Sequence, residues 1–88
     1  MKKGSLVIKR TILSDQEKEN LYRLAPPATW QNTGVVLRSV HEGRFYVVDV
    51  ASGKTLMTEL TQVVDLMIAG RILKEVPVRC LDKVKNVK

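Results

Sequence analysis

Three groupings of residues in this chain could do chemistry. Ser52-Gly53-Lys54-Thr55 copies the end of a phosphate-binding loop, where backbone N–H groups and a lysine cradle phosphates. That loop needs another glycine five residues before Gly53. Val48 stands there, inside a strand-like run, so the segment reads as a turn. His41 beside Glu42 is the raw material of a general base. It has no partner serine, and Cys80 is distant in sequence, so His41 reads as a polar turn residue. Cys80 alternates with Val76 and Val78, the pattern of a small buried apolar side chain rather than a reactive thiol. One histidine and one cysteine cannot build a tetrahedral metal site within one chain. No catalytic, cofactor-binding or metal-binding residue is assigned, and the chain does not read as an enzyme.

Charge offers a different chemistry. The net charge is +6, which raises the expectation of a nucleic-acid partner. Lys2, Lys3, Lys9 and Arg10 crowd one end, and Arg79, Lys83, Lys85 and Lys88 the other, whereas residues 11–78 hold seven basic and eight acidic side chains. If the two ends meet in space they form one basic surface. Lys2, Lys3, Lys9, Arg10, Arg79, Lys83 and Lys85 are then the candidate phosphate contacts. The four aromatics, Tyr22, Trp30, Phe45 and Tyr46, lack the spacing of an RNA-recognition sheet.

Any such site must be held by a small fold. Eighty-eight residues, 44% hydrophobic and 27% charged, suit a single domain over 1–88 with loose tails at 1–4 and 84–88. A chain of this size is marginally stable on its own core, which favours oligomerisation. A single cysteine excludes an internal disulfide and suits a reducing compartment. Leu6-Val7-Ile8 is too short for a signal-peptide core, and no run approaches a membrane span. The expected location is cytoplasmic, away from membranes.

The expected class is α+β: an antiparallel sheet of four to five strands built from hairpins, with two α-helices at about 15–24 and 62–69. Ser5 to Leu13 is strand-like. Ser14 and Glu17 have capping-box spacing and should start the first helix, which Pro26-Pro27 ends. Trp30 lies in the loop that follows, either folded back as an anchor or exposed as a hot spot. Val35 to His41 and Arg44 to Val50 read as strands joined by a Glu42-Gly43 turn, and Gly53 closes the next turn. Gln62 to Ala69 reads as a helix with Gly70 as its left-handed cap. Arg71 to Leu81 reads as a last strand, placed at a sheet edge by Pro77.

In that hairpin one face collects Val35, Leu37, Tyr46, Val48 and Val50 as the core. The opposite face, with Val36, Val40, Phe45 and Val47, is too apolar for solvent. The helix at 62–69 is apolar nearly all round, with Leu66 and Ile68 among its residues. The leading expectation is therefore a non-catalytic interaction or regulatory module. It would dimerise or dock on a protein through Val36, Val40, Phe45, Val47, Leu66, Ile68 and Trp30. The alternative is a sequence-tolerant nucleic-acid binder using the basic ends.

Overall fold

A computed structural model of the chain describes residues 1–84. The one α-helix among the described residues is where the capping chemistry demands. The Glu17 N–H donates to Ser14 Oγ (3.2 Å), and the Ser14 N–H donates to Glu17 Oε1 (2.9 Å). Helix α1 runs Asp15–Leu24 and ends at Ala25, which is extended ahead of Pro26. Pro27–Gln31 then forms a short 3-10 turn that buries Trp30. Its indole N–H donates to the carbonyls of Leu21 (3.1 Å) and Ala25 (3.3 Å), locking this turn to the end of α1.

The rest is an α+β arrangement on one antiparallel sheet of five strands, ordered β4-β3-β2-β1-β5. The strands are β1 (Leu6–Lys9), β2 (Gly34–Asp49), β3 (Lys54–Ile68), β4 (Arg71–Pro77) and β5 (Leu81–Lys83). β2 and β3 are 16 and 15 residues long, far longer than their neighbours. They pair along their whole length, whereas β1 and β4 flank only the end near residues 34–38 and 63–68. The other end is a two-stranded arm, and it gives the molecule its 44 × 25 × 22 Å extent.

Two expected elements are absent. Gln62 to Ala69 is not a helix: residues up to Ile68 continue β3, and Ala69-Gly70 form the turn into β4. Both turn residues have positive φ (50° and 75°), as a two-residue hairpin turn requires. Apolar residues on both faces of this part of β3 explain the misleading pattern. Val64, Leu66 and Ile68 alternate into the core, while Val63 is buried beside Gly43 and outside the main core cluster, so the run is apolar on both faces and resembles a buried helix.

The Glu42-Gly43 turn is also absent. β2 runs straight through it, with Glu42 opposite Gln62 and Gly43 opposite Thr61. Gly43 is required by crowding rather than by a turn. A Cβ there would lie 2.6 and 2.8 Å from the Val63 methyls and 2.9 Å from Glu75 Oε1. The final strand is shorter than expected as well. β4 stops at Pro77, Val78–Cys80 makes a 3-10 turn, and the chain crosses to the far edge as β5 beside β1. Pro77 does lie on an edge strand.

The core lies between one face of the sheet, α1 and the Trp30 turn. It gathers Val7, Leu13, Leu21, Trp30, Val36, Phe45, Leu66, Leu73, Val76 and Cys80. Met1 packs against this cluster, and the Gly4 N–H donates to the Val36 carbonyl (2.7 Å). Val84 donates its N–H to the Leu6 carbonyl (3.0 Å); the rest of the expected C-terminal tail lies outside the described residues.

Candidate functional site

The face of the sheet opposite the core carries an apolar row. Leu6 pairs with Val35, Val35 with Met67, and Met67 with Ile72, so one residue from each of four adjacent strands lines up. All four are exposed, Ile72 most of all at 63%, and exposed Ile8 extends the patch along β1. The solvent face of an antiparallel sheet is ordinarily polar, and this one is not. Each row residue alternates with a buried neighbour: Val7, Val36, Leu66 and Leu73 point into the core. The strands are thus apolar on both faces at this end.

The residues expected to form an interaction surface are mostly somewhere else. Phe45, Val36, Leu66, Ile68 and Trp30 are all buried within the single chain. Val40 is half-buried against the core, and Val47 is half-buried. The expected core and outer faces of β2 are exchanged at Val35 and Val36. Val36, Val40 and Phe45 share a face as expected, but it is the core face, covered by α1 and the Trp30 turn. Leu6, Ile8, Met67 and Ile72 were not singled out by the sequence. The signal for them was present in Leu6-Val7-Ile8 and Leu66-Met67-Ile68, runs with no polar face to give to water.

A polar cluster closes one end of the row. Arg38 pairs with Asp65 across β2 and β3, and His41 Nε2 lies 3.6 Å from Asp65 Oδ1. The same oxygen accepts the backbone N–H of Glu75 (3.1 Å), a non-glycine residue in the left-handed region at φ 57°. Lys74 and Glu42 complete the shallow depression. His41 is therefore a strand residue rather than a turn residue, committed to Asp65 and to the Ser39 carbonyl (2.8 Å).

The two basic ends do meet. β1 and β5 are neighbours, with Val7 opposite Lys83 and Lys9 opposite Leu81. Two of the candidate cations are occupied, however. Arg10 Nε is 3.3 Å from Asp82 and donates through Nη1 to the Arg79 carbonyl (3.2 Å). Arg79 Nε is 3.5 Å from Glu17, and its guanidinium stacks 4.2 Å from the Phe45 ring centroid. Lys2, Lys3 and Lys83 are exposed, and Lys9 is half-buried. Lys85 lies outside the described residues.

Cys80 is fully buried, and burial pushes its thiol up to about 12. Such a thiol is a poor nucleophile at neutral pH. Among the described residues, no group of three or more His, Cys, Asp or Glu side chains is placed to hold a metal ion. No helix among them is long and apolar enough to cross a membrane.

The arm is the second open region, and its two edges differ. On the β2 side, α1 lies alongside. The Asn20 side-chain amide donates to the Tyr46 carbonyl (2.8 Å) and accepts the Tyr46 N–H (2.8 Å). Gln16 makes the same two bonds with Val48. The spacing is a match of rises. Four helical residues advance about 6 Å, and two strand residues advance about 6.6 Å. Two amides one turn apart thus imitate a neighbouring strand. On the β3 side, Lys54 to Leu60 are exposed, and no strand among the described residues pairs there until Val63 meets Pro77. Leu56 (67% exposed), Leu60 (74%) and Met57 lie along this edge. No protein-family model matches the chain, and neither a curated protein nor a solved structure matches it.

Proposed function

We propose that this chain is a non-catalytic interaction module that docks on a protein partner through the outer face of its sheet. One observation carries the reading: the exposed cross-strand row Leu6–Val35–Met67–Ile72, in register on four strands. Rigid strands hold these side chains at fixed spacing, so a partner buries them without first ordering them. The polar rim of Arg38, Asp65, Lys74 and Glu75 at one end fits the pattern of an apolar centre bordered by charge. Ile72 and Met67 point away from the core, so changing them leaves the fold intact. The test compares proteins retained by the wild-type chain with those retained by a Met67→Glu, Ile72→Glu variant of unchanged circular dichroism. A partner retained by the wild type and lost from the variant supports the reading. Equal retention by both, or none by either, overturns it.

A second reading has its own observation. The adjacency of β1 and β5 sets Lys9 and Lys83 on neighbouring strands, with exposed Lys2 and Lys3 in the segment leading into β1, a footprint suited to phosphates. Its test is a gel shift with mixed-sequence DNA and RNA across a salt series. Affinity that falls steeply with salt, and falls again in Lys9→Ala, Lys83→Ala, would favour it. Binding that is absent or indifferent to salt removes it.

A further inference from the structure

We infer that His41 is a proton-operated clasp at the base of the arm: its protonated ring ties β2 through Asp65 to β4, and loss of the proton releases the tie. The clasp works within one chain and does not rest on the docking proposed above.

The ladder creates the need for it. From Asp65 to Val63, β3 takes two steps while β2 takes three, from Arg38 to His41. From Leu66 to Val64, β3 again takes two while β4 takes three, from Leu73 to Val76. Each neighbour of β3 thus carries an extra residue beside Asp65, and an extra residue disrupts the ladder locally. The Asp65 carboxylate reaches both irregularities. Its Oδ1 accepts the N–H of left-handed Glu75 (3.1 Å) on β4 and lies 3.6 Å from His41 Nε2 on β2.

The bond to Glu75 uses a backbone N–H that is always present. The contact with His41 depends on a proton. Nδ1 lies 2.8 Å from the Ser39 carbonyl, which only accepts, so Nδ1 carries a hydrogen. Nε2 faces a carboxylate, which when ionised also only accepts. A neutral imidazole has one N–H and cannot serve both. With its hydrogen on Nδ1, the Nε2 lone pair points at negative charge. With its hydrogen on Nε2, the Nδ1 lone pair meets the Ser39 carbonyl at 2.8 Å. The imidazolium has an N–H for each.

The surrounding charge acts in the same direction. The depression around the ring is lined by Arg38 and Glu42 from β2, Asp65 from β3, and Lys74 and Glu75 from β4. Three carboxylates stand against two cations there, and the imidazolium balances them. The His41 and Asp65 side chains are only 18% and 15% exposed, so water and salt screen the pair less than they would at the open surface.

His41 is the chain's one histidine, and histidine is the side chain that ordinarily changes charge between about pH 5 and 8. A contact that needs the imidazolium is made at low pH and fades as the proton leaves. Glu75 reports it, because releasing His41 loosens the carboxylate that holds the Glu75 N–H.

The experiment is NMR on the intact, isotope-labelled chain at about pH 5.5 and about pH 8, on either side of that change. The ring nitrogen shifts should show both nitrogens protonated at the lower pH and the remaining hydrogen on Nδ1 at the higher. Protection of the Glu75 amide, corrected for the intrinsic exchange rate at each pH, should fall by about three-fold or more from the lower to the higher. Tyr46, whose N–H is bonded to Asn20 further along the arm, should keep its protection. His41→Asn should abolish the pH response of Glu75. So should Asp65→Asn, whose amide oxygen can still accept the Glu75 N–H. A role for His41 in packing alone would lower protection equally at both pH values. Glu75 protection that is the same at both pH values in the wild type overturns the inference, and that result needs no variant to fold. So does a pH response that survives in either variant. A hydrogen on Nε2 at the higher pH overturns it too, since the neutral ring would then keep the Asp65 contact.

Discussion

The two edges of the arm belong to one ribbon and stand in the same solvent, yet one is closed and the other open. Along β2, Tyr46 and Val48 each give their N–H and carbonyl to an amide side chain of α1. Along β3, the equivalent groups of Thr58 and Leu60 face outward without a partner among the described residues. Strand composition does not make this difference, since both strands mix β-branched, apolar and charged residues. Two polar side chains on a neighbouring helix make it. Their effect depends on i, i+4 spacing matching two residues of strand, which is a property of geometry and not of hydrophobicity.

The largest expected effect comes from breaking the closed edge. Asn20 is buried, and its amide satisfies both backbone groups of Tyr46. Asn20→Leu keeps the volume and leaves those two groups without partners. Each unpaired buried group costs about 1–3 kcal/mol, so the variant should lose roughly 3 kcal/mol in urea unfolding. The matching change on the open edge, Thr58→Val, should shift monomer stability by no more than about 0.5 kcal/mol. If Asn20→Leu costs less than about 1 kcal/mol, the seal is decorative and the contrast between the edges disappears.

Next comes the point where the arm leaves the body of the sheet. Gly43 lies there because the Val63 methyls and Glu75 fill the space a side chain would need. Gly43→Ala forces β2 and β3 apart and should cost about 2 kcal/mol, read as a lower thermal midpoint. A neutral result would mean that the strands shift freely at this step, and that the arm is less rigidly joined than its ladder implies.

Gly43 also shows what the sequence could tell and what it could not. The first helix was legible to the residue, because the Ser14–Glu17 capping box and Pro26 act locally and leave their mark in adjacent positions. A glycine after a glutamate marks a turn just as plainly, but here the glycine answers to Val63, twenty residues away. The stretch from Val63 to Ile68 failed for a related reason. A strand that is apolar on both faces has no period to read in its sequence, and its length suits a helix equally well. Val35 and Val36 were reversed because both faces of the strand are apolar there, and only α1 and the Trp30 turn decide which one is the core. The idea of surplus apolar surface was legible in composition, but its location was not, because it depends on the register across four strands.

A smaller effect tests how the helix holds the closed edge. Ser14→Ala removes the oxygen that accepts the Glu17 N–H and should cost about 1 kcal/mol. Acid acts on the same cap. The Glu17 carboxylate accepts the Ser14 N–H and lies near Arg79, which holds its pKa below the ordinary 4.5. A depressed folded-state pKa gives stability that is present in full above 4.5 and is lost as pH falls through the lower folded value. Glu17→Gln should therefore flatten the acid limb of the stability curve. Amide exchange at Tyr46 and Val48 should quicken in both variants, because their partners ride on α1, while exchange at Thr58 and Leu60 of the monomer stays as it was. Equal acceleration on both edges would show that the arm opens as one unit, independent of the seal.

The smallest effect concerns the one side chain seen to cross from the closed edge to the other strand. Arg23 leaves the last turn of α1, passes over the Tyr46 ring with its guanidinium 4.9 Å from the centroid, and donates from Nη2 to Thr55 Oγ1 on β3 (2.6 Å). All of this is at an exposed position, where such contacts are worth about 0.5 kcal/mol. Arg23→Ala should barely move the urea midpoint. Its mark should be local instead: faster exchange and altered chemical shifts at Thr55 and its neighbours, with Tyr46 still bonded to Asn20. Arg23→Lys keeps the charge but loses the planar stack and the directed donor, so it should resemble the alanine variant rather than the wild type. If lysine restores the Thr55 signals, simple charge near the arm is sufficient, and the bridge from the sealed edge to the open one has no geometric role.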